Sequence, residues 1–122
     1  MSEKKILVVD DAETILMMER MILGKSYTVI TAKNGEKALA AATTEKPDLI
    51  ILDVVMPDMD GFEVCRRIKS NESTRSIPII MVTTKGETSN MEKGFESGCN
   101  DYLTKPINGA DLMSKVRSHL GE

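Results

Sequence analysis

Three observations predict a doubly wound parallel α/β domain for this chain of 122 residues. Five short runs rich in aliphatic and β-branched residues recur along it. The longest of them lack the apolar/polar alternation of a sheet wet on one face, as strands buried on both faces require. Between them lie segments whose apolar residues return every three or four positions, the period of a helix lying on a sheet. Strand and helix alternate from end to end, and because crossovers are right-handed the helices must cover both faces.

In order, Ile6 to Val9 is the first strand, stopped by Asp10 and Asp11. A helix from about Ala12 to Leu23 turns Ile15, Met18 and Ile22 to the core, and Gly24 ends it. Met17 lies about 200° round that helix from Ile15. It is expected to face solvent with part of Leu16, either as the singly exposed apolar residue that is normal on a protein surface or as a docking patch beside Asp11. Thr28 to Ala32 is the second strand, and Asn34-Gly35 turns into a helix of Glu36 to Thr44 with Ala38, Leu39 and Ala42 inward. Pro47 leads into Leu49 to Leu52, an aliphatic run that stops at Asp53. Pro57, Asp58, Asp60 and Gly61 supply turn chemistry, and Asp58 and Asp60 are read as turn formers or helix caps. The third helix, about Phe62 to Ser70, offers Val64, Cys65 and Ile68 to the interior. Ile79 to Val82 is the fourth strand, ending at Thr83-Thr84-Lys85-Gly86. A helix around Ser89 to Ser97 carries Met91 and Phe95, with Gly98 to end it. Tyr102 to Thr104 is the fifth strand, stopped by Lys105-Pro106, and a last helix from Asn108 to Leu120 carries Leu112, Val116 and Leu120.

The length gives one domain with a core large enough to need neither metal nor disulfide. Hydrophobic residues at 41% and charged residues at 29% suit a globular chain. A net charge of −3 argues against a nucleic-acid footprint, which needs a basic stripe. The N-terminus leads into only four consecutive apolar residues, too few for a signal peptide or a membrane span. A cytoplasmic monomer is therefore expected. Cys65 and Cys99 stand apart, with no metal-binding grouping, and are read as reduced structural thiols.

Four of the five strands end in a chemically active residue: Asp10 and Asp11, Asp53, Thr83, and Lys105. Strand order 2-1-3-4-5 brings all of these together, at the carboxyl ends where open α/β sheets bind ligands. Three carboxylates so close would be driven toward protonation unless a cation sits among them. Mg²⁺, a hard ion that takes one or two carboxylates and is completed by phosphate oxygens, fits. A lysine ammonium and a threonine hydroxyl aimed at the same point suit a phosphoryl group. The central carboxylate, Asp53, is then the candidate nucleophile and would form an acyl phosphate.

Along its whole length this pattern resembles the receiver domain of two-component response regulators. It does so in Asp10-Asp11 after Ile-Leu-Val-Val, Asp53 before Met-Pro-Asp-Met-Asp-Gly, Thr83 after Ile-Ile-Met-Val, Tyr102, and Lys105-Pro106. The resemblance implies a flavodoxin-like (βα)5 fold over residues 1–122, and phosphotransfer to Asp53 from a histidine kinase or phosphotransfer protein. Asp11, Asp53 and the main-chain carbonyl of Val55 would hold Mg²⁺, with Asp10 acting through a bound water. Thr83 would hydrogen-bond the phosphoryl group, and Tyr102 would turn inward behind it. The face of the fourth helix, fifth strand and fifth helix would then change for a downstream protein partner. The Lys105-Pro106 bond is expected to be cis. Thr84 stands where the family usually has alanine or glycine, and Val55 and Lys85 occupy positions that tune phosphoryl loss.

Other functions fit less well. An aspartyl phosphatase wants a second acid two residues after its nucleophile, but Asp10 is followed there by Ala12. Asp11 is followed there by Glu13, yet no cap domain fits the length. A flavin site fails because no Ser/Thr/Gly phosphate loop follows the first strand. A pseudo-receiver interaction module would lack acids or a lysine that are all present. The receiver of a longer regulator remains an alternative context.

Overall fold

The computed structural model describes residues 4–84, 92 and 95–122. Five parallel strands, β1 (Lys5–Val9), β2 (Thr28–Ala32), β3 (Leu49–Asp53), β4 (Ile79–Thr84) and β5 (Asp101–Lys105), form one sheet in the order β2-β1-β3-β4-β5. Central β3 is buried at every residue, whereas edge strand β2 is largely half-exposed. This explains why β3 is the most uniformly aliphatic run. The register pairs Val9 with Leu52 and Asp53 with Val82, so the polar strand ends finish level with one another.

Side chains alternate across the sheet and divide the core into two layers. On one side Ile6, Val8, Leu49, Ile51, Ile80, Val82 and Leu103 meet α1 (Glu13–Leu23) and the C-terminal helix Gly109–Leu120. On the other, Leu7, Val9, Ile50, Leu52, Ile79, Met81 and Tyr102 meet α2 (Gly35–Glu45) and α3 (Gly61–Ser70). Each fully buried aliphatic side chain contributes about 1.5–3 kcal/mol, and this double layer holds the strand ends in place.

Three helices start where a side chain satisfies free amides, whereas α1 follows Ala12 with no side-chain cap. Asn34 accepts from Lys37 N, Asp60 from Glu63 N, and Asn108 from Ala110 N and Asp111 N. Asp58 caps a helix other than its own: its oxygens accept from Gly35 N and Glu36 N of α2, both at 2.8 Å. The loop after β3 is thereby tied to the start of α2.

One expectation for α1 is corrected. Leu16, placed partly outward by the sequence, is 3% exposed and faces the sheet with Glu19 and Leu23. Ile15, Met18 and Ile22 are half-buried and flank that stripe. The charge of Glu19 disguises the true stripe, because a glutamate at its centre shifts the apolar pattern by one position. Met17 does face solvent. Residues 95–97 are helical and stop at Gly98, whose φ of 104° suits a residue without Cβ. Of the helix anticipated around Ser89 to Ser97, residues 89–91 and 93–94 lie outside the described residues, as do Lys85 and Gly86. Among the described residues no helix is long and apolar enough to cross a membrane.

Candidate functional site

Asp53 is the last residue of β3, 4% exposed, and Asp10 follows β1, 2% exposed. Strand alternation turns both to the α1 side, Asp10 with Ile6 and Val8, Asp53 with Leu49 and Ile51. Exposed Asp11 completes a group in which one carboxylate oxygen from each residue lies within 4.8 Å of the others. Lys105, ending β5 on the same side as Leu103, places Nζ 3.2 Å from Asp53 Oδ1 and 3.4 Å from Asp10 Oδ2. The Lys105-Pro106 peptide that follows is cis.

Burial pushes the Asp53 carboxyl above its usual range, and the charge of Asp10 adds to that, while Lys105 pulls it back. Burial alone would lower the Lys105 ammonium, but the carboxylates of Asp53 and Asp10 outweigh it and hold it above its usual value. This is a concentration of negative charge that one ammonium only partly offsets. Three carboxylates converging from two strand ends make an all-oxygen donor set, which suits Mg²⁺. The backbone at the rim is closely fitted. Gly61 N donates to Val54 O at 2.8 Å, and a Cβ on Gly61 would stand 2.4 Å from Asp53 O. Glycine is required there by the close approach.

Thr83, at the end of β4 and 2% exposed, comes from the other face of the sheet, in phase with Ile79 and Met81. Tyr102 belongs to that same layer, is 6% exposed, and lies 5.3 Å from the Phe95 ring between centroids. Its ring is thus already inside. The Val55 side chain points outward at the rim.

Two residues near the site escaped the sequence reading. Glu19, 1% exposed, carries a carboxyl pushed up to about 8 by burial first and then by the charge of Asp10, against the lowering influence of Lys105. Its spacing of three from Leu16 and four to Leu23 was the available signal. Asp58 could be recognised as a cap, but not as the cap of α2, since that contact spans 23 residues.

The same arrangement recurs in known proteins. Residues 6–117 match the family model described as response regulator receiver domain. The response regulator PleD of Caulobacter vibrioides is 45% identical over 115 residues, covering 93% of this chain and 25% of PleD. The alkaline phosphatase synthesis transcriptional regulatory protein PhoP of Bacillus subtilis is 46% identical over 118 residues, covering 96% of this chain and 48% of PhoP. The chain thus spans a quarter to about half the length of these curated relatives. The chemotaxis protein CheY4 of Vibrio cholerae superposes with a TM-score of 0.91 at 34% identity, over 98% of this chain and all of that one. By its sheet order, the convergence of its strand ends and these matches, the chain belongs to the response regulator receiver domain family.

Proposed function

We propose that this receiver takes a phosphoryl group onto Asp53 from the phosphohistidine of a histidine kinase or phosphotransfer protein. The observation that carries the reading is the set of Asp10, Asp11 and Asp53 oxygens within 4.8 Å, with Lys105 on two of them. An Asp53 carboxylate oxygen attacks phosphorus, its P–O bond forms as the P–N bond of the donor breaks, and the leaving imidazole picks up a proton. Asp11, Asp53 and the Val55 carbonyl would hold Mg²⁺, with Asp10 acting through water. The ion would supply charge neutralisation for the transferring oxygens. Lys105, already beside Asp53, moves onto a phosphoryl oxygen, and Thr83 offers its hydroxyl from the opposite face. The same residues orient the water that returns Asp53 to the free acid.

The output in this reading is a protein contact. Thr83 and Tyr102 share a layer with Phe95 packed beside it, so a shift of Thr83 toward the phosphoryl group changes what Tyr102 packs against. On the opposite side of the sheet, β5 and the C-terminal helix are joined by Asp101, which meets Lys115 Nζ at 3.2 Å and His119 Nε2 at 2.9 Å. With a net charge of −3 the receiver itself addresses proteins rather than nucleic acid.

The test is intact mass after incubation with acetyl phosphate, with and without Mg²⁺, for wild type and Asp53→Asn. A Mg²⁺-dependent gain of one phosphoryl group, absent in the variant, is expected. An equal gain in Asp53→Asn overturns the assignment of the acceptor. No gain from either acetyl phosphate or a phosphorylated histidine donor overturns the function and favours a pseudo-receiver.

A further inference from the structure

In the receiver reading the cation takes one ligand from the main chain, the carbonyl of Val55. That carbonyl belongs to the loop between β3 and α3, which is closed at its neck. Val54 N donates to Val82 O at 3.1 Å, and Gly61 N donates to Val54 O at 2.8 Å. Residues 55–60 lie beyond these anchors. Among the described residues, no main-chain group of residues 55–59 hydrogen-bonds to another main-chain group, and Val55 itself is 70% exposed. The direction of its carbonyl therefore depends on the side chains that hold the rest of the loop.

Met56 is buried in the layer under α2 and α3, and Met59 packs at the margin of that layer. A thioether chain is flexible and its contacts have no direction, so these two fill space without fixing a peptide plane. Asp58 supplies the direction. Its Oδ1 accepts from Gly35 N and its Oδ2 from Glu36 N, both at 2.8 Å, a two-point hold on the first turn of α2. Bonds from amides to a carboxylate are shorter and stronger than neutral ones. The cap of α2 itself, Asn34, takes Lys37 N and leaves the two earlier amides to Asp58. The loop also lies flush on the helix start, since a Cβ on Gly35 would stand 2.4 Å from Met59 Cγ.

We propose that Asp58 is a positioning residue for the cation site, holding the segment that carries the Val55 carbonyl against the start of α2. This rests on the receiver reading for the identity of the ligands. The link runs both ways, because a coupling free energy is reciprocal. A cation held by Val55 fixes the loop, and a fixed loop keeps Asp58 on its two amides. The start of α2, which gives no side chain to the carboxylate cluster, thereby registers whether the cation site is filled.

The experiment pairs calorimetry of Mg²⁺ binding with hydrogen exchange at the Gly35 and Glu36 amides, on wild type, Asp58→Ala and Asp58→Asn, with a thermal melt to show that each chain is folded. Asp58→Ala is expected to weaken Mg²⁺ binding roughly tenfold, the lower end for residues that support metal ligands. Asp58→Asn loses the same charge but keeps one acceptor oxygen, and its affinity is expected to fall between wild type and Asp58→Ala. In wild type, saturating Mg²⁺ is expected to slow exchange at both amides by a factor similar to that loss. Removing a carboxylate also takes away a long-range attraction for the ion, and that effect is screened out in about 1 M KCl, where the Debye length is about 3 Å. The loss of positioning is expected to persist there. Unaltered Mg²⁺ affinity in Asp58→Ala overturns the proposal, and so does a weakening confined to low salt, because the carboxylate then acts by charge alone. Exchange at Gly35 and Glu36 that is the same with and without bound Mg²⁺ overturns it as well. Wild type that binds no Mg²⁺ removes the cation site and this proposal together. Binding without coupling to the two amides removes this proposal alone.

Discussion

Lys105 Nζ lies 3.2 Å from Asp53 Oδ1 although their strands are not neighbours, because β4 runs between β5 and β3. The lysine reaches across the end of β4, on the side of the sheet away from Thr83. The contact that defines the site is thus made over the top of the sheet, where the chain has no regular pairing left to make.

The first prediction follows from the charge at that contact. The Asp53 carboxyl is held above its usual range by burial and Asp10. For an acid shifted this way, stability is full below the unfolded pKa, near 3.9, and falls as pH rises through the raised folded value. In metal-free buffer Asp53→Asn is expected to melt higher than wild type at pH 7, the gap closing as the pH is lowered. A variant that melts lower at pH 7 would show that the Lys105 pairing outweighs the repulsion.

Asp58 gives the opposite sign. Amide donation from Gly35 and Glu36 holds its carboxyl below the usual range. Its contribution is present above the unfolded value of about 3.9 and is lost as pH falls through the lower folded value. Asp58→Asn is expected to melt below wild type at neutral pH and to converge with it in acid. Hydrogen exchange at the amides of Gly35 and Glu36 should quicken in the variant, and unchanged exchange there would refute the cap.

Gly61 is the least replaceable glycine of the site. An added Cβ meets the Asp53 carbonyl oxygen at 2.4 Å, and both partners are backbone, so neither can swing aside. Gly61→Ala is expected to cost about 1–3 kcal/mol, the range for overpacking, and to weaken Mg²⁺ binding by moving the segment that carries Val55. Urea unfolding and calorimetry read the two effects. A wild-type midpoint would mean the loop relaxes without strain.

The thiols should be silent. Burial pushes Cys65 up, and burial together with Cys65 pushes Cys99 up to about 12. Since the thiolate is the reactive form, a chromogenic disulfide reagent at pH 7.5 is expected to leave both cysteines of the folded chain unmodified and to titrate both in denaturant. Rapid labelling of either in the native state would contradict the burial.

What could be read from the sequence was whatever repeats locally. Uniformly aliphatic β3 and the Val64, Cys65 and Ile68 stripe of α3 declared themselves by period, and both are buried as anticipated. That Asp10, Asp53 and Lys105 stand at strand ends was legible, but the sheet order that brings them together came with the family resemblance and not from the residues. What was hidden depends on tertiary context. Glu19 breaks the apolar period of the helix it centres, so Leu16 was turned the wrong way. Lys46 ends α2 with φ 48°, a left-handed conformation that its residue type does not advertise. Lys69, on α3, bends back to the carbonyls of Arg75 and Ile77 and to Asn100 Oδ1. No local pattern marks that lysine as a staple between segments.

The division of the core into two layers has a bearing on how such a chain can be retuned over generations. The sheet is a wall one residue thick, with the acids and the lysine on one side and Thr83 and Tyr102 on the other. If the proposed switch holds, substitutions at Ile6, Val8, Leu49 or Ile51 shift the footing of the proposed chemistry, and those at Leu7, Ile50, Ile79 or Met81 the footing of the proposed readout. Alternate positions along one strand therefore belong to different traits. Who listens can drift while what is heard stays the same.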